Sequence, residues 1–293
     1  MRELKLGIVG LSEGNGHPYS WSAIFNGYDP VYMKDCGFPV IPEYLSRQRF
    51  PDDCIPYAHV THIWTQDEAL SRHVAAASKI PNVVPHMADM IGQVDAVLLA
   101  RDDPENHYEM SKPFIEAGLP IYIDKPLAVS REEAERIYSL ERYPGQVFTC
   151  SALAYSDGIK RGDIGELYHL DATCIKDWKK YAIHVVEPAL RLFDHEMEIL
   201  RHNVIATDRC RIVTLEWADG LTTTFKTLSK AKCGFQISLY GTKNRQDIDF
   251  GGTFFMFRNA LAEFVSIVRG ERENVSRQIT MKAIEILERG FDE

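Results

Sequence analysis

The chain has 293 residues, of which 45% are hydrophobic and 26% are charged, and its formal net charge at pH 7 is −9. No window approaches the ~20 apolar residues of a membrane span, and no basic stripe offsets the negative charge, which argues against membranes and nucleic acids as partners. The six scattered cysteines form no Cys-x-x-Cys pair, so we expect reduced thiols and no metal site. The first residues lead straight into a strand and leave no room for a secretory signal, which predicts a cytoplasmic location.

A strand, a glycine-rich turn and a helix open the chain. Residues 6–9 read as the strand, residues 10–17 as the turn and residues 18–28 as the helix, with Pro18 in the first turn, where a missing N–H donor costs little. Residues 28–57 are rich in proline, glycine and aromatics without a clear period, so they predict an irregular excursion. Long loops of this kind are commonly functional.

Strands and helices then alternate up to about residue 152. Ser130 and Glu133 form a capping box at the start of one helix. Strands are predicted at 58–64, 94–100, 121–123 and 146–152, and helices at 65–80, 106–117 and from 130 onward. Because parallel neighbours need crossover connections, this alternation demands a parallel, doubly wound α/β sheet. Residues 1–152 are therefore predicted to form a Rossmann-like, NAD(P)-binding domain.

The pattern changes in residues 153–293, which predict an α+β domain with a mostly antiparallel open sheet. Asp219-Gly220 is a strong hairpin signal between two of its strands. Strands are predicted at 167–175, 209–217, 221–228 and 235–240, a helix at 184–200, and two amphipathic helices at the end of the chain. We expect this domain to serve substrate binding and oligomerisation, and the last helix, about 275–293, to pack back on the first domain.

The segment Asp124-Lys125-Pro126 carries the strongest chemical signal. It follows an apolar strand, residues 121–123, and Pro126 cannot extend a strand ladder. Proline also biases Lys125 towards an extended conformation, at the carboxyl edge where open α/β sheets bind their ligands. The sequence therefore predicts a lysine presented at a ligand site.

This segment resembles the Glu-Lys-Pro signature of the glucose–fructose oxidoreductase, inositol dehydrogenase and MocA (Gfo/Idh/MocA) family, with Asp124 in place of glutamate. The preceding helix and Ala-Gly pair, the following Leu-Ala pair and the late segment 235–243 are also similar to the family, so the resemblance spans nearly the whole chain. It implies an NAD(P)-dependent oxidoreductase that moves a hydride between nicotinamide and a hydroxyl or carbonyl carbon of a sugar, cyclitol or similar polar metabolite. It also implies a homo-oligomer, a dimer or tetramer, built through the open sheets.

The turn after the first strand lies where the pyrophosphate of a dinucleotide would rest. Gly10 keeps the first position of the Gly-x-Gly-x-x-Gly fingerprint, whereas Ser12 and Asn15 fill the later glycine positions. The alternative is a tight strand-to-helix turn without a ligand. At the end of the second strand, Thr65 or Asp67 can meet ribose hydroxyls, and no basic residue follows at once, which favours NAD slightly over NADP. Asp67 can equally serve only to start a helix.

The end of the strand predicted at 94–100, Arg101-Asp102-Asp103-Pro104, with His107 opening the next helix, resembles the family's loop beside the nicotinamide. The alternative is that Asp102 or Asp103 caps the helix and Arg101 is a solvated charge. The predicted cofactor site comprises Gly10, Leu11, Ser12, Asn15, Thr65, Arg101, Asp124, Lys125 and Pro126.

Residues 179–187 carry the second group of candidate residues. Tyr181, His184 and Glu187 are spaced one helical turn apart, so they can share one face. The family usually reads Asp-x-Gly-x-His-x-x-Asp here, which by resemblance makes His184 the catalytic histidine, while Lys180 stands where the first aspartate is expected. Hydride transfer from an alcohol needs a group that accepts the hydroxyl proton. We predict Lys125, His184 and Tyr181 as catalytic and Lys125, Lys180, Tyr181 and His184 as substrate-binding residues.

Two alternatives remain open. Ser12, Asn15 and Lys180 also suit a catalytically silent member that only binds a nucleotide or a sugar. The fold further suits an NAD-dependent glycosidase or eliminase that oxidises its substrate transiently, as some relatives do.

Overall fold

The computed structural model describes residues 2–274 and 276–292. The chain folds into two compact units. The first comprises the chain up to Leu127, together with Glu135–Thr149 and Phe257–Asn274, and the second comprises Ala128–Ala134, Cys150–Met256 and the described residues after 275. A domain boundary at residue 152 remains a prediction. The last helix lies in the second unit.

Parallel strands form the sheet of the first unit, in the order β3-β2-β1-β4-β5-β6. The strands are β1 (Leu4–Val9), β2 (Ala58–Trp64), β3 (Asn82–Val83), β4 (Ala96–Leu99), β5 (Ile121–Ile123) and β6 (Val147–Phe148). The helices are α1 (His17–Asn26), α2 (Pro30–Met33), α3 (Val40–Leu45), α4 (Glu68–Ala77), α5 (His107–Glu116) and α6 (Arg131–Tyr138). The predicted Rossmann-like sheet is confirmed, and the irregular excursion contains the short helices α2 and α3.

The second unit is built on a mixed sheet in the order β12-β11-β7-β10-β9-β8. Its strands are β7 (Leu167–Ile175), β8 (Ile199–Ala206), β9 (Cys210–Trp217), β10 (Thr222–Leu228), β11 (Gln236–Gly241) and β12 (Arg245–Asp247), with helices α7 (Trp178–Tyr181) and α8 (Ile183–Leu190) after β7. β7 and β10 pair in parallel and the remaining described pairs are antiparallel, which confirms the predicted mostly antiparallel sheet. Alternate residues of β9 and β10 are buried, so one face of the sheet forms the core.

The predicted helix over 184–200 is wrong in its second half. α8 ends at Leu190, and residues from Ile199 onward form strand β8. β8 pairs with β9 at the edge of the described sheet, and most of its residues are exposed. Most of the wrong stretch, residues 191–198, forms turns and bends between α8 and β8.

Two helices close the described chain, α9 (Thr253–Val268) and α10 (Ser276–Arg289). In the first unit, Phe264 of α9 stacks on Phe148 with ring centroids 5.8 Å apart, and Tyr122 packs edge-on against Phe148. Tyr122 in turn stacks on Trp21 of α1 at 4.7 Å. Aromatic pairs of this kind contribute about 0.5–1.5 kcal/mol each beyond the area they bury. In the described part of the chain, no helix is long and apolar enough to cross a membrane.

Candidate active site

The loop between β1 and α1 packs so tightly that two of its positions require glycine. A Cβ atom on Gly10 would lie 2.4 Å from Cγ of Pro18, and one on Gly16 would lie 2.5 Å from Cδ1 of Ile41. The Gly10 N–H donates to the Trp64 carbonyl at 3.1 Å, which joins the loop to the end of β2. The loop is thereby held close to the carboxyl edge of the sheet.

The polar residues at the later fingerprint positions bond to acids at the ends of neighbouring strands. Ser12 Oγ donates to Asp102 Oδ1 at 2.7 Å, and the Asp102 N–H donates back to Ser12 Oγ at 3.1 Å. Asn15 Nδ2 donates to Asp124 Oδ2 at 2.8 Å, and His17 Nδ1 lies 2.5 Å from the same oxygen. The departures from the glycine pattern therefore connect the loop to the ends of β4 and β5.

Leu11 is held through its backbone. Its N–H donates to Gln66 Oε1 at 3.1 Å, and its carbonyl accepts from Gln66 Nε2 at 2.6 Å and from Arg101 Nη1 at 3.1 Å. The Arg101 guanidinium also forms a two-point ion pair with the Asp103 carboxylate, in which Nε donates to Oδ1 at 2.9 Å. Gln66 and Arg101 thus fix the start of the loop from two different strand ends.

Lys125 is buried at the carboxyl end of β5, with 5% of its surface exposed. Its ammonium nitrogen Nζ lies 3.7 Å from Asp102 Oδ2, and its backbone N–H donates to Asp124 Oδ1 at 2.8 Å. The peptide bond between Lys125 and Pro126 is cis. The predicted lysine therefore sits at the expected sheet edge, among acids that come from two strands.

Asp124 is almost fully buried and ionised. Burial alone would raise the pKa of its carboxyl, but the charge and the hydrogen bond of His17, the charge of Lys125 and the Asn15 hydrogen bond bring that pKa well below its ordinary value. Both Asp124 oxygens are used within the protein, Oδ1 by the Lys125 backbone and Oδ2 by Asn15 and His17. Asp124 therefore joins the loop to the lysine-bearing segment.

Thr65 and Asp67, which follow β2, are bonded at the start of helix α4. The Thr65 hydroxyl donates to the Asp67 carbonyl at 2.7 Å and lies 2.8 Å from the Ser71 hydroxyl. The Asp67 side chain accepts from the Leu70 N–H at 3.0 Å, as the N-cap of α4. This hydrogen bond supports the interpretation of Asp67 as the residue that starts helix α4.

These features fit a dinucleotide. The β1–α1 loop approaches the ends of β2, β4 and β5, glycine is required where the backbone is most crowded, and helix α1 begins there with its partially positive end. Arg101 adds a cationic side chain beside Leu11. The residues that would hold the cofactor are the loop from Gly10 to Asn15 together with Arg101.

The second unit holds the predicted histidine near the start of α8. His184 Nδ1 lies 3.0 Å from Oγ of Ser151, a fully buried residue that follows β6. Phe235 packs edge-on against the imidazole with ring centroids 5.3 Å apart. Because one ring nitrogen is engaged by Ser151 and one ring face by Phe235, the orientation of the imidazole is fixed.

Lys180 and Tyr181 lie on α7, one turn before His184. The Lys180 N–H donates to the Asp177 side chain at 2.9 Å, which makes Asp177 the N-cap of α7. The Tyr181 ring lies 5.6 Å from the His184 ring, and Lys176 contacts its hydroxyl and lies over its face at 4.2 Å. Tyr181 and His184 are therefore neighbours, as their spacing predicted.

Glu187 lies on α8, one turn after His184, and is buried. Its Oε2 accepts from the Ser151 N–H at 2.5 Å, and Arg191 lies 3.6 Å from its Oε1. Burial raises the pKa of Glu187 to about 7, because it outweighs the opposing charge of Arg191 and the Ser151 hydrogen bond. Ser151 thus contacts both His184 and Glu187.

Four residues that contact predicted site residues were not themselves predicted as site residues. Gln66, Asp102, His17 and Ser151 each bond to a predicted site residue. The signal available for three of them was position, since Gln66 and Asp102 follow strands and His17 closes the turn. For Ser151 the only signal was its place just after the last parallel strand.

Comparison with family models gives one match. Residues 39–151 match the model of the Gfo/Idh/MocA family, described as an oxidoreductase family with an NAD-binding Rossmann fold. The family that this stretch matches is the one predicted from the sequence. The match to the Gfo/Idh/MocA model includes β2 to β6 and the Asp-Lys-Pro segment. A comparison with curated protein sequences finds no match.

Solved structures similar to this chain include several dehydrogenases. The myo-inositol 2-dehydrogenase from Lactobacillus plantarum is 15% identical with a TM-score of 0.73, over 98% of this chain and 95% of that one. The apo scyllo-inositol dehydrogenase from Lactobacillus casei is 13% identical with a TM-score of 0.75, over 99% and 96%. A levoglucosan dehydrogenase in complex with NADH and levoglucosan is 14% identical with a TM-score of 0.72, over 98% and 95%. At these identities the likeness establishes the fold.

Proposed function

We propose that this protein is an NAD(P)-dependent dehydrogenase or reductase that acts on a CH–OH or carbonyl carbon of a sugar, cyclitol or similar polar metabolite. The observation that carries the proposal is the buried lysine, Lys125, at the carboxyl end of β5, next to the crowded loop after β1. The dehydrogenases among the similar structures, whose names specify inositol and levoglucosan, support the substrate class.

In this proposal the protein supplies binding, orientation and proton transfer. When bound, the nicotinamide gives or accepts a hydride at the substrate carbon. Lys125 Nζ takes the proton of the substrate hydroxyl during oxidation and returns it to the carbonyl oxygen during reduction. In the second unit, His184, oriented by Ser151, and Tyr181 are the further proposed catalytic residues, and both belong with Lys180 to the proposed substrate-binding residues.

The end of β2 favours NAD over NADP. A 2′-phosphate needs a cation near the adenosine ribose, as in NADP-specific members of dinucleotide-binding folds. The Arg101 guanidinium donates to Gln66 Oε1, just after β2, at 3.2 Å, and it is already paired with Asp103. NAD has no 2′-phosphate on this ribose, so its binding does not require the ion pair between Arg101 and Asp103 to break.

The second sheet supports a homo-oligomer. One face of β7, β9 and β10 is buried in the core, whereas the other carries partly exposed polar residues, among them Asp171, Thr224 and Lys226. A second copy covering this face would form an isologous dimer or part of a tetramer. Light scattering coupled to size exclusion measures the mass, and a monomer at micromolar concentration would contradict this assembly.

The test of the proposed function is a titration with NADH and with NADPH, followed by a screen of sugars and cyclitols. Quenching of tryptophan fluorescence and energy transfer to the reduced nicotinamide report binding. We expect micromolar binding of NADH and weaker binding of NADPH. We also expect Lys125→Ala to lose turnover by orders of magnitude while its affinity for NADH stays within about tenfold. Lys243→Ala, at an exposed ion pair of the second unit, is the matched control.

Each failure has a separate meaning. Binding of NADH without turnover on any substrate of the screen would favour the catalytically silent alternative. Retained cofactor with substrate cleavage and no net change in nicotinamide absorbance would favour the glycosidase or eliminase. Absence of binding in folded protein free of cofactor would reject the dinucleotide site itself.

A further inference from the structure

Three residues that are far apart in the sequence meet at one edge of the first sheet. Ser12 follows β1, Asp102 follows β4 and Lys125 follows β5, and β4 lies between the other two strands. The register places Leu99 opposite both Val9 and Ile123, so the three strands end at the same level. All three side chains are buried, since Ser12, Asp102 and Lys125 are 3%, 7% and 5% exposed.

The Asp102 carboxylate has a defined orientation. Ser12 donates its hydroxyl to Oδ1 at 2.7 Å, and the Asp102 N–H donates to that hydroxyl oxygen at 3.1 Å. The other carboxylate oxygen, Oδ2, lies 3.7 Å from Lys125 Nζ. A buried carboxylate at this distance stabilises an ammonium ion much more strongly than an exposed one would.

The neighbouring acid, Asp124, is bonded differently. Its oxygens accept hydrogen bonds from the Asn15 side chain and from the Lys125 backbone N–H. One of them also lies next to the His17 imidazole. Asp124 therefore fixes the backbone of the lysine, whereas Asp102 faces its ammonium group.

We propose that Asp102 is a positioning residue for Lys125, and that its carboxylate, oriented by Ser12, holds the lysine side chain at the edge of the sheet. The proposal rests on the proposed function for its catalytic meaning. During reduction Lys125 gives one proton to the carbonyl oxygen while the carbon receives a hydride, and the resulting amine regains a proton from solvent. Asp102 keeps the lysine nitrogen in place for this transfer.

The placement of Lys125 can be measured without turnover. In protein labelled with 13C at lysine Cε, the Lys125 signal is assigned by its absence from Lys125→Arg, and its relaxation gives the order parameter of the side chain. We expect this order parameter to fall in Asp102→Asn and to fall less in Ser12→Ala, because the first substitution removes the charge that faces Nζ and the second removes only its orientation. Asp163→Asn, at an exposed ion pair in the second unit, should leave the order parameter unchanged.

Kinetics provide the second readout. We expect Asp102→Asn to keep NADH affinity within about threefold and to lower kcat while the KM of the substrate changes less. Asp102→Glu, which keeps the charge, should restore part of kcat and of the order parameter. A merely structural role of Asp102 would lower activity without changing the order parameter of Lys125.

The outcomes separate the two proposals. An unchanged order parameter of Lys125 in Asp102→Asn overturns the positioning role, whatever the turnover. A lowered order parameter together with full turnover in Lys125→Ala overturns the catalytic role of the lysine and leaves the pairing established. If Asp102→Asn does not fold, Ser12→Ala decides, and an unchanged order parameter in that variant counts against the proposal.

Discussion

The His17 imidazole and the Asp124 carboxylate lie 2.5 Å apart, and this contact joins the first turn of α1 to the end of β5. His17 also stacks on Trp21 with ring centroids 5.0 Å apart. A single histidine thus connects the loop after β1, the aromatic core and the segment that carries the lysine. Its contact with a buried acid makes the stability of the first unit depend on pH.

We expect Asp124→Asn to lower the free energy of unfolding by about 3–5 kcal/mol near neutral pH, because it leaves His17 without its buried acid. The Asp124 carboxyl has a lower pKa in the folded chain than its ordinary value of 3.8. The folded state therefore binds fewer protons, and the stabilisation is complete above about pH 5 and is lost as the pH falls. Urea unfolding from pH 3 to 7 should show the difference shrinking in acid, whereas a constant difference would contradict the ionised state.

For Glu187 we expect the opposite dependence of the free energy of unfolding on pH. Its pKa is raised from 4.5 to about 7 by burial, so the folded state binds a proton that the unfolded state has lost. Stabilisation by the protonated form is full below about pH 4.5 and disappears as the pH rises to about 7. Relative to Glu187→Gln, the wild type should lose at most about 3 kcal/mol between these limits, as measured by urea unfolding. Glu43→Gln, at an exposed pair with Arg47, should show no such trend.

Ser151→Ala should disturb His184 without unfolding the second unit. The substitution removes the hydroxyl 3.0 Å from Nδ1 and leaves the backbone N–H that binds Glu187. We expect the tautomer ratio of His184 to change in 15N NMR spectra, and kcat/KM to fall roughly tenfold or more, as for other residues that orient an active group. The matched control is Ser156→Ala, which removes another buried serine hydroxyl. Equal effects of the two substitutions would argue against an orienting role for Ser151.

Gly10→Ala should damage the cofactor loop. The added methyl group would lie 2.4 Å from Pro18 Cγ and 3.3 Å from the Ala100 carbonyl, so the backbone must move. We expect a loss of about 1–3 kcal/mol in stability and at least a tenfold weaker affinity for NADH. Gly252→Ala is the control, because its Cβ would meet only Phe255 at 3.8 Å. Thermal unfolding and NADH titration of both variants check the prediction, which fails if Gly10→Ala binds NADH as the wild type does.

The parallel half of the fold could be predicted because its strands are short apolar runs bounded by turn residues, and helices of regular length separate them. β8 could not, since an edge strand exposes most of its side chains and so lacks the pattern of burial that would mark it. In the site, the position of Lys125 followed from the strand and proline around it. The partnership of Ser12 with Asp102 joins residues 90 positions apart, and only the arrangement of strands brings them together.

The first unit is assembled from segments at both ends of the chain. Phe264 of α9 completes the aromatic core around Phe148, and Arg269 of the following segment donates to the Tyr57 carbonyl at 2.6 Å. During synthesis on the ribosome, the nascent Rossmann-like sheet must therefore wait for most of the second unit to be translated before its own core is complete. A fragment that stops after β6 would expose the aromatic surface that α9 covers, and we expect it to aggregate rather than fold alone.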